Sequence, residues 1–297
     1  MPLVDYIQTY GNFNPGYIRS GLYTTGYFDP WNIDSADLTE TSKLTNVEST
    51  RRSLSTSSGD MITYNFIFRP PTGILNSTKP LLPKSEVIIT FDRAIADIAL
   101  ISKTTVPDDE YVGKVLTLKN VSLTAKYCSS PYLRNYFDPL RNTAISYKYD
   151  ECSVYHKNLP TGDTVIRLSN IIGGNTPTYL FAGIIESDAL SGNMVKSSCA
   201  FKPHGVKEFD LTLNGYSCLG FPLVNINDSP LNVYDTFLRT TNRQFKNNCA
   251  DQILPSDFQL FHYIYSHKFE GEPTETGWIG INLTLKEAYA KNYTLGL

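Results

Sequence analysis

The residues best suited to chemistry in this chain are four histidines, His156, His204, His262 and His267, and five cysteines, Cys128, Cys152, Cys199, Cys218 and Cys249. A zinc centre needs three or four such ligands at short, recurring spacings. The chain contains no Cys-x-x-Cys pair and no His-Glu-x-x-His. His262 and His267 are five positions apart, so on one strand they point to opposite faces and cannot share a metal. Cys152 and His156, four apart, would share a face of one strand, but no oxyanion donor or orienting group accompanies this pair. The acidic sets Asp108, Asp109, Glu110 and Glu270, Glu272, Glu275 read as solvated loops, because the calcium-loop spacing is missing. Gly173-Gly174 fits neither phosphate-binding pattern and reads as a turn. Nothing resembles the Gly-x-Ser-x-Gly elbow of a hydrolase. These residues therefore predict no catalytic group, no metal site and no cofactor.

Nucleic-acid binding would need a positive footprint. Arg51-Arg52, Lys119, Lys126, Arg134, Arg141, Lys148 and Lys157 are interleaved with Tyr127, Tyr132, Tyr136, Phe137 and Tyr155, a mixture that can hold single strands. Most of these basic residues come singly, however, and 29 acidic residues outweigh 26 basic ones, for a net charge of −3. No specific nucleic-acid binding is expected. The cysteine count is odd and the spacings wide, which predicts free thiols in a reducing compartment rather than a disulfide framework. Asn-x-Ser/Thr sequons fall at Asn76, Asn120, Asn227, Asn282 and Asn292, of which Asn120 and Asn282 lie in expected strands, poor places for a glycan acceptor. No basic-then-apolar leader follows Met1, and no run reaches the roughly 20 apolar residues of a membrane span. The expectation is a soluble protein without a membrane span.

The elements that must carry these residues are strands. Aromatics make up 12% of the 297 residues, with 20 Tyr and 15 Phe, a bias towards β structure and large contact surfaces. The organising stretch runs from Phe209 to Leu297. Phe209/Leu211/Leu213, Phe258/Leu260/His262 and Ile279/Ile281/Leu283/Leu285 alternate with period two, so each predicts a strand with one buried face. Asn214-Gly215 predicts a tight reversal, and 230–245 predicts one helix. Tyr179 to Ile185 is almost continuously apolar and predicts a central strand covered on both faces. Upstream, a bent opening strand is expected over 114–127, with short strands near 144–149, 152–156 and 164–168.

Residues 1–60 form an extended, loop-rich segment in this reading, with 35–59 a polar loop. Residues 61–112 supply three strands, around 61–68, 86–94 and 97–101, plus a linker. Residues 113–297 hold about eight strands, enough for a complete jelly roll. The overall class is all-β, a jelly-roll β-sandwich whose first roll is only partly present. Two segments, Tyr6–Phe28 and Tyr132–Phe137, are aromatic but sit among Gly, Pro and Asn without alternation. Tyr17, Tyr23, Tyr132, Tyr136 and Phe137 are therefore the interface candidates, expected to lie across a neighbouring roll or subunit.

The run EFDLTLNGYSCLGFPL (208–223), then VYDTFLRTT (233–241), FHYIYSH (261–267) and GWIGINLTL (277–285), resembles the last part of major capsid proteins of the Polinton (Maverick) and adintovirus group. LLPKSEVIITFDRA (81–94) with DIALI (97–101) resembles the end of the first roll in the same double jelly-roll family. The resemblance covers roughly residues 60–297. It implies a virion shell subunit, assembled inside the host cell as trimers of pseudo-hexagonal outline, with penton and minor capsid proteins as further partners. Family members carry two full rolls, so this chain departs from them, and the reading favours an endogenous or N-terminally incomplete copy. The alternative is a jelly-roll carbohydrate-binding module with Tyr64, Phe66 and Phe68 as its exposed aromatics. A β-sandwich hydrolase, the third class, would need a carboxylate pair in a cleft.

Overall fold

The computed structural model describes residues 55–58, 61–64, 81, 86–90, 117–124, 146–147, 152–192, 201–220, 222–224, 230–241, 255, 258–259, 262–269 and 276–297. Two strands, β1 (Ser55–Ser58) and β2 (Met61–Tyr64), pair antiparallel as a small ribbon. The rest of the regular structure is β3 (His156–Leu159), β4 (Val165–Asn175), β5 (Tyr179–Glu186), helix α1 (Ser187–Gly192), β6 (Val206–Leu213), β7 (Tyr216–Ser217), β8 (Leu223–Val224), helix α2 (Leu231–Thr240), β9 (Ile264–Lys268), β10 (Thr276–Leu285) and β11 (Tyr293–Gly296).

These strands form two antiparallel sheets. One has the order β3-β11-β5-β9, and the other β4-β10-β6-β7, with β8 also on β6. The pairing is nested about the β6–β7 turn. Moving outward from that turn, β6 pairs with β7, β5 with β9, β4 with β10 and β3 with β11. Successive pairs alternate between the sheets, so these eight strands fold back on one another about the turn in two layers.

The alternating residues explain why the layers meet. Ile279, Ile281, Leu283 and Leu285 of β10 are all buried, as are Phe209 and Leu211 of β6 and Ile166 of β4. Across the interface lie Leu180, Ala182 and Ile184 of β5, Tyr265 of β9 and Leu295 of β11. The rings of Phe209 and Tyr265 stack across the layers at a centroid distance of 4.0 Å and 6° between planes. Offset aromatic pairs of this kind add to the burial of their apolar area.

Asn214 and Gly215 both have positive φ, 52° and 86°. That is the type I′ requirement, whose twist matches the flanking strands β6 and β7. In α2, Val233, Tyr234, Phe237 and Leu238 recur at three- and four-residue steps and are buried. Ser266 Oγ of β9 donates to Thr240 Oγ1 of α2 at 3.2 Å, which seats the helix on the outer side of β9. Tyr234 and Phe237 both meet Phe258, at 5.3 and 5.4 Å between ring centroids. Asp235 and Arg239 pair at 2.8 Å on the exposed side of the helix.

Central strand β5 is covered on both faces, as its continuous apolar run predicts. Residues 182–185 of β5 are buried without interruption. On the outer face Phe201 lies directly over Gly183, where an added Cβ would come within 2.4 Å of Phe201 Cδ1. Only glycine admits the ring there.

Several local expectations are corrected. Residues 86–90 and 117–124 carry no strand, and Ile88, Val121 and Leu123 are exposed. Alternation favours a strand but does not supply the neighbouring backbone that satisfies it. Conversely, β1 lies inside the stretch read as a polar loop, because its partner β2 supplies the ladder that Ser and Thr alone do not demand. The period-two run at 258–262 is not a strand at its described positions. Phe258 and Gln259 are helical, and His262 makes only an isolated parallel bridge to Phe201. The two-sheet unit opens at His156, so 117–124 contributes no strand to it. The strands expected over 66–68 and 97–101 lie outside the described residues.

Candidate interaction surface

The two sheets offer different surfaces. The outer face of the β3-β11-β5-β9 sheet is occupied by α2, Phe201 and a chain of polar contacts. In that chain Ser187 Oγ and Thr294 Oγ1 are 2.8 Å apart, and Thr294 Oγ1 donates to Asn158 Oδ1 at 3.2 Å. The outer face of the β4-β10-β6-β7 sheet is buried at its middle, at Thr212 and Gly280, but Arg167 is exposed and Glu208, Asp210, Asn282 and Thr284 are half-buried.

The register defines what that second face presents. Directly opposed residues of an antiparallel pair share a face. Asn282 of β10 is flanked by Arg167 of β4 and Asp210 of β6. Thr284 is flanked by Val165 and Glu208, and Gly280 is paired with Thr212, which is paired in turn with Ser217. Ser217 Oγ donates to Asp210 Oδ1 at 2.6 Å, so the carboxylate is held in place. At one end stands Trp278, opposite Gly173. The Trp278 N–H donates to Asn214 Oδ1 at 3.0 Å, and the Asn214 N–H donates to the Trp278 carbonyl at 2.9 Å. The indole leans towards Gly215, where an added Cβ would sit 3.4 Å from its ring, and remains 39% exposed.

At Gly280, between the indole and the polar row, neighbouring atoms close in on β10. A Cβ there would meet Thr212 Oγ1 at 2.8 Å and the Leu168 carbonyl at 2.9 Å. The neighbouring register jump, from Ile279↔Ile172 to Ile281↔Leu168, makes β4 bulge around Asn170, whose φ is +52°. Bulges of this kind bend a strand and re-aim its side chains.

The residues singled out for chemistry are dispersed. His156 opens β3, and Cys152 precedes that strand rather than sharing a face of it; burial lowers the imidazole pKa. His204 has a left-handed φ of 43° and packs on Tyr293 at 4.6 Å, while Tyr293 packs on Tyr289 at 4.4 Å. Burial holds the Tyr289 phenol well above the usual tyrosine range. His267 packs edge-on against Phe269 at 4.7 Å. His262 is 3% exposed, and burial pushes its pKa down to about 3, so it is neutral at physiological pH. Cys218 is a free thiol whose pKa is raised by burial and by Asp210. No group of three His, Cys, Asp or Glu side chains that could hold a metal occurs among the described residues. No helix among them is long and apolar enough to cross a membrane.

The interface candidates Tyr17, Tyr23, Tyr132, Tyr136 and Phe137 lie outside the described residues, as do both acidic sets and Phe66 and Phe68. The Trp278 face was not singled out from sequence. Its signal was present in the complement of the buried set: Trp278, Gly280, Asn282 and Thr284 are the alternate positions of the strand whose Ile and Leu fill the core. No family model, curated protein or solved structure matches the chain.

Proposed function

We propose that the chain is a structural subunit of a viral shell, a major capsid protein of the jelly-roll type that works by symmetric self-association rather than by turnover. The observation that carries this reading is the strand order. Eight strands nested about one turn, with successive pairs alternating between a β3-β11-β5-β9 sheet and a β4-β10-β6-β7 sheet, support the jelly-roll reading. Viral capsid subunits and lectins are built on that plan. The resemblance of residues 208–285 to capsid proteins of the Polinton and adintovirus group supports the first of these uses. Trimers of pseudo-hexagonal outline, tiled into a lattice with penton and minor capsid proteins, are the assembly that this resemblance implies.

The test is assembly of the full chain. Sedimentation velocity with negative-stain microscopy is expected to show trimers that progress to sheets or shells as concentration rises. A monomer at every concentration would overturn the reading. Tyr136→Ala combined with Phe137→Ala is expected to weaken trimer formation while leaving the monomer's thermal transition in place. If the pair instead lowers thermal stability without altering the sedimenting species, these aromatics belong to the core.

A further inference from the structure

We propose that the outer face of the β4-β10-β6-β7 sheet is a binding site for a neutral oligosaccharide, with a sugar ring stacked on Trp278 and further hydroxyls held by Asn282, Arg167 and Asp210. The indole supplies a rigid apolar plane for the C–H face of a pyranose. It is half-exposed, gripped through its backbone by Asn214, and faces no side chain on the β4 side because Gly173 stands opposite. A binding site of this sort combines an aromatic surface with a few fixed polar groups that set orientation.

The polar row meets the second requirement. Sugar hydroxyls both donate and accept, so they pair best with a mixed set. Asn282 offers an amide with both functions, Arg167 offers donors only, and the Asp210 carboxylate accepts. All three lie side by side across three strands. Asp210 is already oriented by Ser217 at 2.6 Å, which reduces the ordering that binding must impose. Trp278 and Asn282 are four residues apart on β10, a span of about 13 Å at ~3.3 Å per residue. That distance accommodates more than one sugar ring; at Gly280, between them, Thr212 Oγ1 and the Leu168 carbonyl close in on β10, so the indole and the polar row are two separate contacts.

Charge narrows the ligand class. Arg167 contributes one positive charge, and Asp210 and Glu208 contribute two negative ones, so these three aligned positions together are net negative. They oppose sulfated or otherwise polyanionic chains, since like charges on a binding surface are selected against. The occupant the face fits is a glycan without acidic groups.

The experiment uses the full chain with Trp31→Phe, which leaves Trp278 as the sole indole. Linear and branched neutral oligosaccharides of two to six units, built from glucose, mannose, galactose or N-acetylhexosamines, are titrated while indole emission is followed. At least one is expected to give a saturable change. Asn282→Ala and Asp210→Asn are expected to weaken it about tenfold each, the scale of one lost charge-assisted or paired hydrogen bond, without moving the thermal midpoint. In the Trp31-containing protein, Trp278→Ala is expected to abolish retention on a column bearing the same sugar. The proposal is overturned if no neutral oligosaccharide binds, if only sulfated chains bind, or if binding survives Trp278→Ala. It is also overturned if Trp278→Ala changes the sedimenting species while sugar has no effect, which would make the face a contact between copies of the chain.

Discussion

The two sheets use the same antiparallel pairing for opposite ends. In the β3-β11-β5-β9 sheet both faces are filled, and residues 182–185 of β5 are buried in succession. In the β4-β10-β6-β7 sheet β10 buries Ile279, Ile281, Leu283 and Leu285 and turns Trp278, Asn282 and Thr284 outward. The first sheet is specified by packing on two sides and has little freedom to change. The second is packed mainly on one side, and on the other Arg167 is exposed and Asp210, Asn282 and Thr284 are half-buried.

Removing the cover of the first sheet should have the largest effect. Phe201→Ala is expected to destabilise the fold by about 3–5 kcal/mol, the usual range for an emptied aromatic site, measured by urea unfolding. Gly183→Ala should be costly in the native background, where its methyl meets Phe201, and nearly neutral once Phe201 is alanine. A double-mutant cycle reads that coupling. Additive costs would mean that the ring does not depend on Gly183.

Acid should attack the same cover. His262, bridged to Phe201, has a native pKa of about 3, against roughly 6.5 for an ordinary histidine. The unfolded chain therefore takes up this proton first as pH falls. The contribution is fully present above about pH 6.5 and declines towards pH 3, with about 2 kcal/mol lost at pH 5. His262→Gln should flatten the stability profile by about one proton between pH 6 and 4, as read from unfolding midpoints across that range. An unchanged slope would assign the acid sensitivity to other groups.

Smaller effects are expected on the second sheet. Gly215→Ala, at a φ of 86°, should cost about 1–2 kcal/mol, the penalty of a left-handed conformation for an L-residue. Asn282→Ala and Thr284→Ala on the outer face should stay within about 0.5 kcal/mol of wild type in urea. A larger loss would mean that this face is packed and the contrast between the sheets is false.

The sequence made the buried faces legible because alternation is a local signal. Phe209 and Leu211, the β10 run, the Asn214-Gly215 turn and the doubly covered β5 could all be read in this way. Helix α2 was expected over 230–245 and is seen as Leu231–Thr240. What alternation could not supply was partnership. It gave 86–90 and 117–124 the look of strands, yet neither is paired, while the polar β1 is. It also extended a strand through 258–262, where Phe258 instead joins an aromatic cluster with Tyr234, Phe237 and Tyr263. The outer face with Trp278 went unremarked because attention to apolar positions passes over the residues between them. Its coherence depends on register across β4, β10 and β6, which is a property of long-range pairing.

The nested pairing also sets the order in which the protein can be made. Thr294 of β11 and its partner Asn158 of β3 are separated by 136 residues, while the Asn214-Gly215 turn joins immediate neighbours. Closing distant contacts first is entropically costly, and chains dominated by them fold slowly. The two-sheet unit should therefore zip outward from the turn. During synthesis β3 and β5 emerge with the gap between them unfilled, because β11 pairs with both and is translated last of the three. Until residues 293–296 arrive, each presents a bare edge, and crowding many nascent copies together at that moment invites exchange of β11 between chains.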